Sequence, residues 1–172
     1  IMDLPKLLPA ENEYYINGKK YSHLQHESEI LDHNPRYHNK RDIGIFKELA
    51  LDIELGLNKY RNSEKLKELY TLKTGKISNV HKYNVLKWDE PSNTIPAHLK
   101  KDGLRHIHPD STQARTITVR EAARIQTFED GYKFSENMTT NYEMIGNAVP
   151  PEFSFRLASA LHDFLIEKGL DN

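Results

Sequence analysis

A threonine and two lysines in the middle of the chain could bind a phosphate group. The Thr94 hydroxyl and the backbone N–H groups around it can donate to a phosphate oxygen, and Lys100 and Lys101 add positive charge nearby. The alternative is a plain hairpin loop with solvated lysines.

Charge is unevenly distributed along the 172 residues, although the net charge is only −1. Residues 73–120 carry nine Lys and Arg against four Asp and Glu, a net charge of +5. Residues 121–172 carry four against nine, a net charge of −5. A basic middle segment fits a surface that faces phosphates, and random clustering on a solvated face is the alternative.

Histidines give only a weak indication of a metal site. The chain has nine His but no Cys and no His-Glu-x-x-His pattern. His106-Ile107-His108 places two rings on one face of an extended segment, which could hold a metal ion only if a third ligand arrived. We therefore expect no metal site here.

Helices and a hairpin are predicted in the first half of the chain. Residues 1–35 read as largely irregular, with a possible two-residue turn at Asn17-Gly18. Apolar residues at helical spacing predict a helix over 39–57, capped by Asn39 or Asp42, and a second over 63–72, capped by Ser63. The expected inward faces are Phe46, Leu49, Ala50, Ile53 and Leu57 in the first helix, and Leu66, Leu69 and Tyr70 in the second. Residues 75–96 read as strand-like.

The sequence of residues 118–151 predicts a helix, a polar connector, a tight turn and a second helix, in that order. Thr118 and Glu121 have the spacing of a capping box, which predicts a helix of about ten residues. Gly146-Asn147 predicts a tight turn before a final helix over 151–168, which Gly169 ends. Its apolar stripe consists of Leu157, Ala158, Leu161, Phe164 and Leu165.

Two parts of this segment resemble the last conserved motifs of the DNA cytosine-5 methyltransferases. Residues 115–128, RTITVREAARIQTF, resemble the family's ninth motif, and residues 145–151, IGNAVPP, resemble its tenth. The resemblance is close over about 50 C-terminal residues, with one departure: Phe128-Glu129-Asp130 stands where the family usually has Phe-Pro-Asp. His38-Asn39-Lys40-Arg41-Asp42 resembles a further family segment, which precedes a helix.

The resemblance implies roles for particular residues. Asn147, Ala148 and Val149 would line the S-adenosylmethionine pocket. Thr94 would contact a DNA phosphate, and residues 97–103 would form a DNA-facing loop. The residues expected to bind DNA are Thr94, His98, Lys100, Lys101 and Arg115, the last of which could instead cap a loop. Those expected to organise the motifs are Thr118, Arg120, Glu121, Arg124 and Gly146.

Catalysis in this family needs a cysteine thiolate, and the sequence contains no Cys. The family's Gly-rich cofactor loop is also missing, so we expect no catalytic residue here and no activity of the chain alone. The resemblance implies the C-terminal part of an enzyme of DNA methylation, as in restriction–modification. A stand-alone DNA-binding or regulatory subunit is the alternative, and RNA as substrate ranks well below DNA.

We therefore predict an α+β chain with a small recognition domain of helices and short antiparallel strands. The recognition region would cover residues 1–115. Residues 116–172 would complete a Rossmann-like catalytic domain with their last helix. Expected partners are double-stranded DNA and the N-terminal catalytic part of the enzyme, in the same or a separate chain. For the final helix of this chain alone, we expect either docking on the chain's own recognition region or self-association with a second copy. Mean hydropathy of −0.74 and the lack of a long apolar run predict a soluble protein. The resemblance to DNA methyltransferases implies a location in the bacterial cytoplasm, in association with the nucleoid.

Overall fold

The chain begins with a two-stranded antiparallel sheet in the computed structural model, which describes residues 1–25, 30–101, 103–135 and 137–170. Strands β1 (Pro9–Ile16) and β2 (Lys19–His23) are joined at Asn17-Gly18, whose φ angles are 48° and 75°. Positive φ at both positions is the geometry of a two-residue hairpin with a right-handed twist. The hairpin is confirmed, although the strands occupy a stretch that we expected to be irregular. Positions 26–29 of that stretch lie outside the described residues.

Both helices predicted in the first half are present. Helix α1 (Lys40–Glu54) begins after Asn39, whose side chain accepts from the Asp42 N–H. Helix α2 (Ser63–Thr74) is capped by Asn62, so Ser63 is its first residue and not its cap. The inward faces are only partly as predicted, because Ile53 and Leu57 are exposed while the remaining positions are buried or half-buried.

Residues 75–96 form no strand in the described part of the chain, which corrects our expectation. Val85 makes an isolated bridge to Ile107, and Ile107 makes another to Thr116. Pro91 and Pro96 lack the amide hydrogen that a ladder requires, which limits strand pairing here. Residues 97–100 of the predicted loop form a short 3-10 helix, Ala97–Lys100.

Three helices complete the fold: α3 (Val119–Ile125), α4 (Met138–Asn147) and α5 (Pro151–Glu167). Helix α3 is shorter than expected, and Thr127 just after it has a φ of 64°. Helix α4 was not predicted. It is capped by Asn137 and runs through Gly146 and Asn147, where we expected a turn.

The interior consists of two clusters. The first joins α1 and α2 to the segments around positions 83, 107 and 114. Its buried members are Ile45, Phe46, Leu49, Ala50, Leu69, Tyr83, Val85, Ile107 and Ala114. The second lies beneath α3 and α4, and its buried members are Leu86, Ile95, Leu99, Ile117, Val119, Ala122, Ala123, Tyr142 and Ile145. It includes residues from both sides of position 115, so the domain boundary there remains a prediction about the full enzyme.

Helix α5 buries none of its 17 residues. The final helix and its end at Gly169, with a φ of 66°, are confirmed. The architecture is α+β, with five α-helices and one hairpin in the described residues. None of the described helices combines the length and the apolar character that a membrane crossing requires.

Candidate functional site

Arg115 and Glu121 form a buried ion pair at the start of α3. Two guanidinium nitrogens donate to the two carboxylate oxygens, each at 2.7 Å, and both side chains have no exposed area. Bidentate, charge-assisted bonds of this kind are among the strongest in proteins. Burial alone would raise the pKa of Glu121, but the charge and the hydrogen bonds of Arg115, with the nearby His108 and His33, together outweigh burial and lower that pKa to about 2.

The same carboxylate completes the capping box. The Thr118 hydroxyl accepts from the Glu121 N–H at 3.2 Å, and Glu121 Oε2 accepts from the Thr118 N–H at 2.7 Å. His33 Nδ1 lies 3.1 Å from the Thr118 hydroxyl. Glu121 therefore serves the helix cap and the ion pair together, which fixes where α3 begins.

Arg115 is not available to DNA, which corrects its assignment as a DNA-binding residue. Its remaining donors go to the Gln113 side chain, at 3.2 and 2.7 Å, and to the Thr116 carbonyl at 3.1 Å. A phosphate cannot reach a guanidinium without exposed surface whose donors are already bonded. The structural alternative, that Arg115 fixes a loop, is what the geometry shows.

Arg120 and Arg124 hold separate parts of the chain against α3. Arg120 is buried, and its guanidinium donates to the carbonyl oxygens of Leu31, Glu129 and Tyr132. Arg124 binds the carboxylates of Asp3, at 2.7 Å, and Asp130, at 2.5 Å. The two arginines tie the N-terminal segment, the stretch near position 31 and the connector before α4 to one short helix.

Three of the predicted DNA-binding residues, Thr94, His98 and Lys101, are exposed. Lys100 is different, because its ammonium group forms an ion pair with Glu143 of α4 at 2.5 Å. Its charge is therefore partly neutralised, and the ion pair holds the 3-10 helix on α4. Position 102 of the predicted loop lies outside the described residues.

The basic segment 73–120 offers fewer free charges than its sequence indicates. Arg115 and Arg120 are buried, and Lys73, Lys87 and Lys100 are in ion pairs. Just outside the segment, Arg61 is an exposed cation, and the exposed Lys65 of α2 is paired with Glu68.

Gly146 allows α4 to lie directly on the predicted DNA loop. A Cβ atom at this position would stand 2.4 Å from the Pro96 carbonyl carbon and 2.5 Å from the Ala97 nitrogen. Only glycine permits that approach, so its role is close packing and not the turn that we expected.

Sequence reasoning missed two side chains at this contact. The Arg36 guanidinium lies 3.8 Å above the centre of the Tyr142 ring, and the Tyr142 hydroxyl donates to the Ile117 carbonyl at 2.7 Å. Arg36 also donates to the Leu99 carbonyl of the 3-10 helix. Neither residue belongs to a recognised motif, and no local pattern marks them.

The predicted cofactor residues lie where α4 meets α5. Asn147 and Val149 are exposed and Ala148 is half-buried. Immediately after them, Phe153, Leu157, Leu161 and Phe164 of α5 remain 51–61% exposed. No residue of α5 is buried, so the expected docking of α5 on the chain's own recognition region is wrong for the described residues.

His106 and His108 have different surroundings. His108 Nε2 lies 3.5 Å from Glu121, and its ring packs edge-on against Trp88. His106 lines a cavity with Thr94 and Arg105. The described residues contain no group of three or more side chains that could hold a metal ion.

In the structure, residues within 115–128 organise the body of the chain, and residues 145–151 lead into the exposed helix α5. The chain belongs to the C-5 cytosine-specific DNA methylase family, whose sequence model matches residues 1–163. It is similar to the type II methyltransferase M.Bpa9945I of Bacillus paralicheniformis, with 37% identity over 96% of this chain and 40% of the relative. It is also similar to a putative type II methyltransferase, M.OihORF3336P, of Oceanobacillus iheyensis, with 32% identity over 94% of this chain and 42% of the relative.

Plant relatives match a smaller part of the chain. DNA (cytosine-5)-methyltransferase 2 of Arabidopsis thaliana is 42% identical over 62% of this chain and 7% of its own length. The chain spans about 40% of the length of the two bacterial relatives named above.

Proposed function

We propose that this chain supplies target recognition and one wall of the S-adenosylmethionine pocket of a DNA (cytosine-5-)-methyltransferase. The observation that carries the proposal is α5, a helix with large apolar side chains and no covered face, which directly follows Asn147–Val149. An apolar surface of this kind usually marks an interaction site. The proposed cover is the N-terminal catalytic part of the enzyme, in the same or a separate chain, with a Rossmann-like sheet for α5 to pack on.

The exposed tenth-motif residues fit a cofactor wall. The Asn147 amide offers donors and an acceptor, and Ala148 and Val149 offer small apolar surfaces. S-adenosylmethionine would supply the methyl group for C5 of cytosine. Residues of this chain would position the cofactor, and the thiolate nucleophile would come from the catalytic part.

The DNA-facing surface is the segment that carries Thr94, His98 and Lys101. Gly146 and the Lys100–Glu143 ion pair hold that segment on α4, so its exposed side chains have a fixed support. In the full enzyme the target cytosine would leave the duplex for the catalytic pocket. The proposed location is the bacterial cytoplasm, at the nucleoid where the DNA lies, and similarity to a bacterial type II methyltransferase supports the bacterial part of this proposal.

Transfer of labelled methyl groups to cytosine in duplex DNA tests the division of roles. We expect no transfer by the pure chain and clear transfer after it is mixed with the N-terminal catalytic part. A Leu161→Asp, Phe164→Asp variant should fail to restore transfer, whereas a Lys47→Gln variant on α1 should behave as the wild type. Transfer by the pure chain, or equal restoration by both variants, would contradict the proposal.

Salt dependence of duplex binding, followed by fluorescence anisotropy, tests the recognition role. Replacing Lys101 with Ala should weaken binding to all sequences alike and reduce the salt slope by about one unit if one phosphate contact is lost. Lys100→Ala should also lower stability because Glu143 loses its partner. Lys47→Ala is the matched control for loss of one exposed charge. An unchanged slope for Lys101→Ala would remove this residue from the interface.

A further inference from the structure

A small cavity lies beside the 3-10 helix, between the segment 93–98 and the segment 105–106. Its volume is about 290 Å³, and its lining consists of Asn93, Thr94, Pro96, His98, Arg105 and His106. Of the described residues in this lining, none is acidic, and Arg105 and His98 are exposed. The cavity is therefore suited to an anion.

His106 is the unusual member of this lining. Its side chain is 2% exposed, yet neither ring nitrogen has a hydrogen-bond partner among the described residues. The backbone of Asn93 and Thr94 approaches the ring without completing a well-formed hydrogen bond. Buried polar groups are nearly always paired, so an unpaired imidazole beside a cavity indicates a missing partner.

The walls of the cavity are already fixed. The backbone N–H of His106 donates to the Gly103 carbonyl at 2.8 Å, and the backbone carbonyl of His106 accepts from the Ile117 N–H at 3.0 Å. The Asn93 amide donates to the Arg105 carbonyl at 3.2 Å, which joins the two walls. Pro96 is held by its contact with Gly146. A ligand would therefore meet side chains that need little rearrangement.

We propose that this cavity binds one phosphate group of the DNA backbone, with a His106 ring N–H and the Arg105 guanidinium donating to its oxygens. A phosphate offers several acceptors to a neutral imidazole, a guanidinium and the Thr94 hydroxyl, which matches the donors present. The identification of DNA as the source rests on the proposed function. The anion site itself rests only on the cavity and the unpaired ring.

A pair of histidine substitutions separates a binding role from a structural one. His106→Phe removes an unpaired polar group from the interior, so its Tm should equal or exceed that of the wild type, while duplex binding should weaken about ten-fold. His23→Phe is the matched control, because His23 is also buried but bonds to Ser22 and Gln113, at 3.0 and 2.9 Å. It should lower the Tm and leave duplex binding unchanged. Lost stability with unchanged binding in His106→Phe would overturn the proposal.

NMR of the wild type, with ¹⁵N-labelled histidine, keeps the test independent of whether a variant folds. Duplex DNA should shift the ring signals of His106 and leave those of His23 in place. If the duplex binds and the His106 signals do not move, the proposal is wrong although the recognition role stands. If inorganic phosphate shifts His106 and the duplex does not bind, the anion site is supported and the recognition role is wrong. No shift with either probe would overturn the site.

The Arg105 contribution is measured against a charge-matched control. Arg105→Gln should reduce the salt slope of duplex binding, and it should reduce the His106 shift that inorganic phosphate causes. Lys47→Gln removes an exposed charge from α1 and should change neither quantity. Equal behaviour of the two variants would exclude Arg105 from the site.

Discussion

Helices α3 and α5 show opposite relations between composition and burial. Helix α3 has seven residues, of which five are buried, and Arg120 and Glu121 are among these five. Helix α5 has 17 residues with several large apolar side chains, and none is buried. The charged short helix is interior because each charge has a partner. The apolar long helix is exterior because nothing in the described part of the chain covers it. Burial here follows the available partners and not hydrophobicity alone.

A fall in pH should lower the unfolding free energy more than any of the substitutions described below, through the buried histidines of the body around α3. Burial lowers the pKa of His23 to about 4, of His38 to about 3 and of His108 to about 4, against 6.5 for an ordinary histidine. The unfolded chain therefore binds protons first as pH falls, so stability is full above about pH 6.5 and decreases toward pH 4. Each such histidine should remove about 1.4 kcal/mol per pH unit.

Glu121 acts in the same direction below its ordinary pKa of 4.5. Burial raises its folded pKa, but the charge and hydrogen bonds of Arg115, with His108 and His33, together lower that pKa to about 2. Urea unfolding at a series of pH values measures the effect. His162 on α5 has a side chain that is 70% exposed, and His162→Gln should leave the pH profile unchanged. Constant stability from pH 7 to about pH 5 would show that the buried histidines do not control it.

Glu121→Ala should produce the largest loss from a single substitution. It leaves the Arg115 guanidinium buried without a counter-charge and removes the acceptor for the Thr118 N–H. The expected loss of unfolding free energy is about 3–5 kcal/mol. Glu68→Ala, which breaks an exposed pair with Lys65, should change it by about 0.5 kcal/mol or less. Similar losses for the two variants would mean that the buried pair has no special role.

Alanine substitutions at two helical glycines, Gly146 in α4 and Gly44 in α1, should change the unfolding free energy in opposite directions. Both changes should be smaller than that of Glu121→Ala. Gly146→Ala places a methyl group against the Pro96 backbone and should cost about 1–3 kcal/mol. Gly44→Ala in α1 meets no atom within 4 Å and should stabilise the protein by about 0.5–1 kcal/mol. Chemical denaturation of both variants measures this, and a neutral Gly146→Ala would show that the contact with the 3-10 helix yields easily.

Local signals predicted the elements whose ends are fixed by neighbouring residues. Asn39 marks the start of α1, Thr118 and Glu121 mark the start of α3, and Gly169 follows α5. Each signal acts within a few residues through a cap or a left-handed backbone, so the sequence alone contains it.

Helix α4 and the partners of the charged residues were beyond such reasoning. Helix α4 contains a glycine that reads as a helix breaker, and its place is set by contact with Pro96, fifty positions away along the chain. Likewise, the sequence shows that Lys100 and Arg115 are cations but not that Glu143 and Glu121 receive them. Which of the predicted DNA-binding residues remain exposed depends on these tertiary partners, so only the folded chain reveals it.

The smallest expected effect on stability comes from substitutions on the exposed apolar face of α5. These substitutions should nevertheless have a large effect on association. Leu161→Asp with Phe164→Asp alters side chains that are 57% and 51% exposed, so the unfolding free energy should change by about 0.5 kcal/mol or less. Burial of such side chains in an interface gains roughly 1.5–3 kcal/mol each. The wild type should therefore self-associate through α5 in sedimentation equilibrium, and the double variant should remain monomeric.

The catalytic part of the enzyme should compete with this self-association, because both partners would cover the same face of α5. Adding the catalytic part should replace the homo-oligomer by a one-to-one complex of the two parts. Arg156→Gln, in which an exposed i,i+4 pair with Glu152 on α5 is lost, tests whether apolar contact or charge drives the association. We expect it to associate as the wild type does. A monomeric wild type with the same stability as the double variant would show that α5 has no affinity for a second copy. The only remaining proposed partner of α5 would then be the catalytic part of the enzyme.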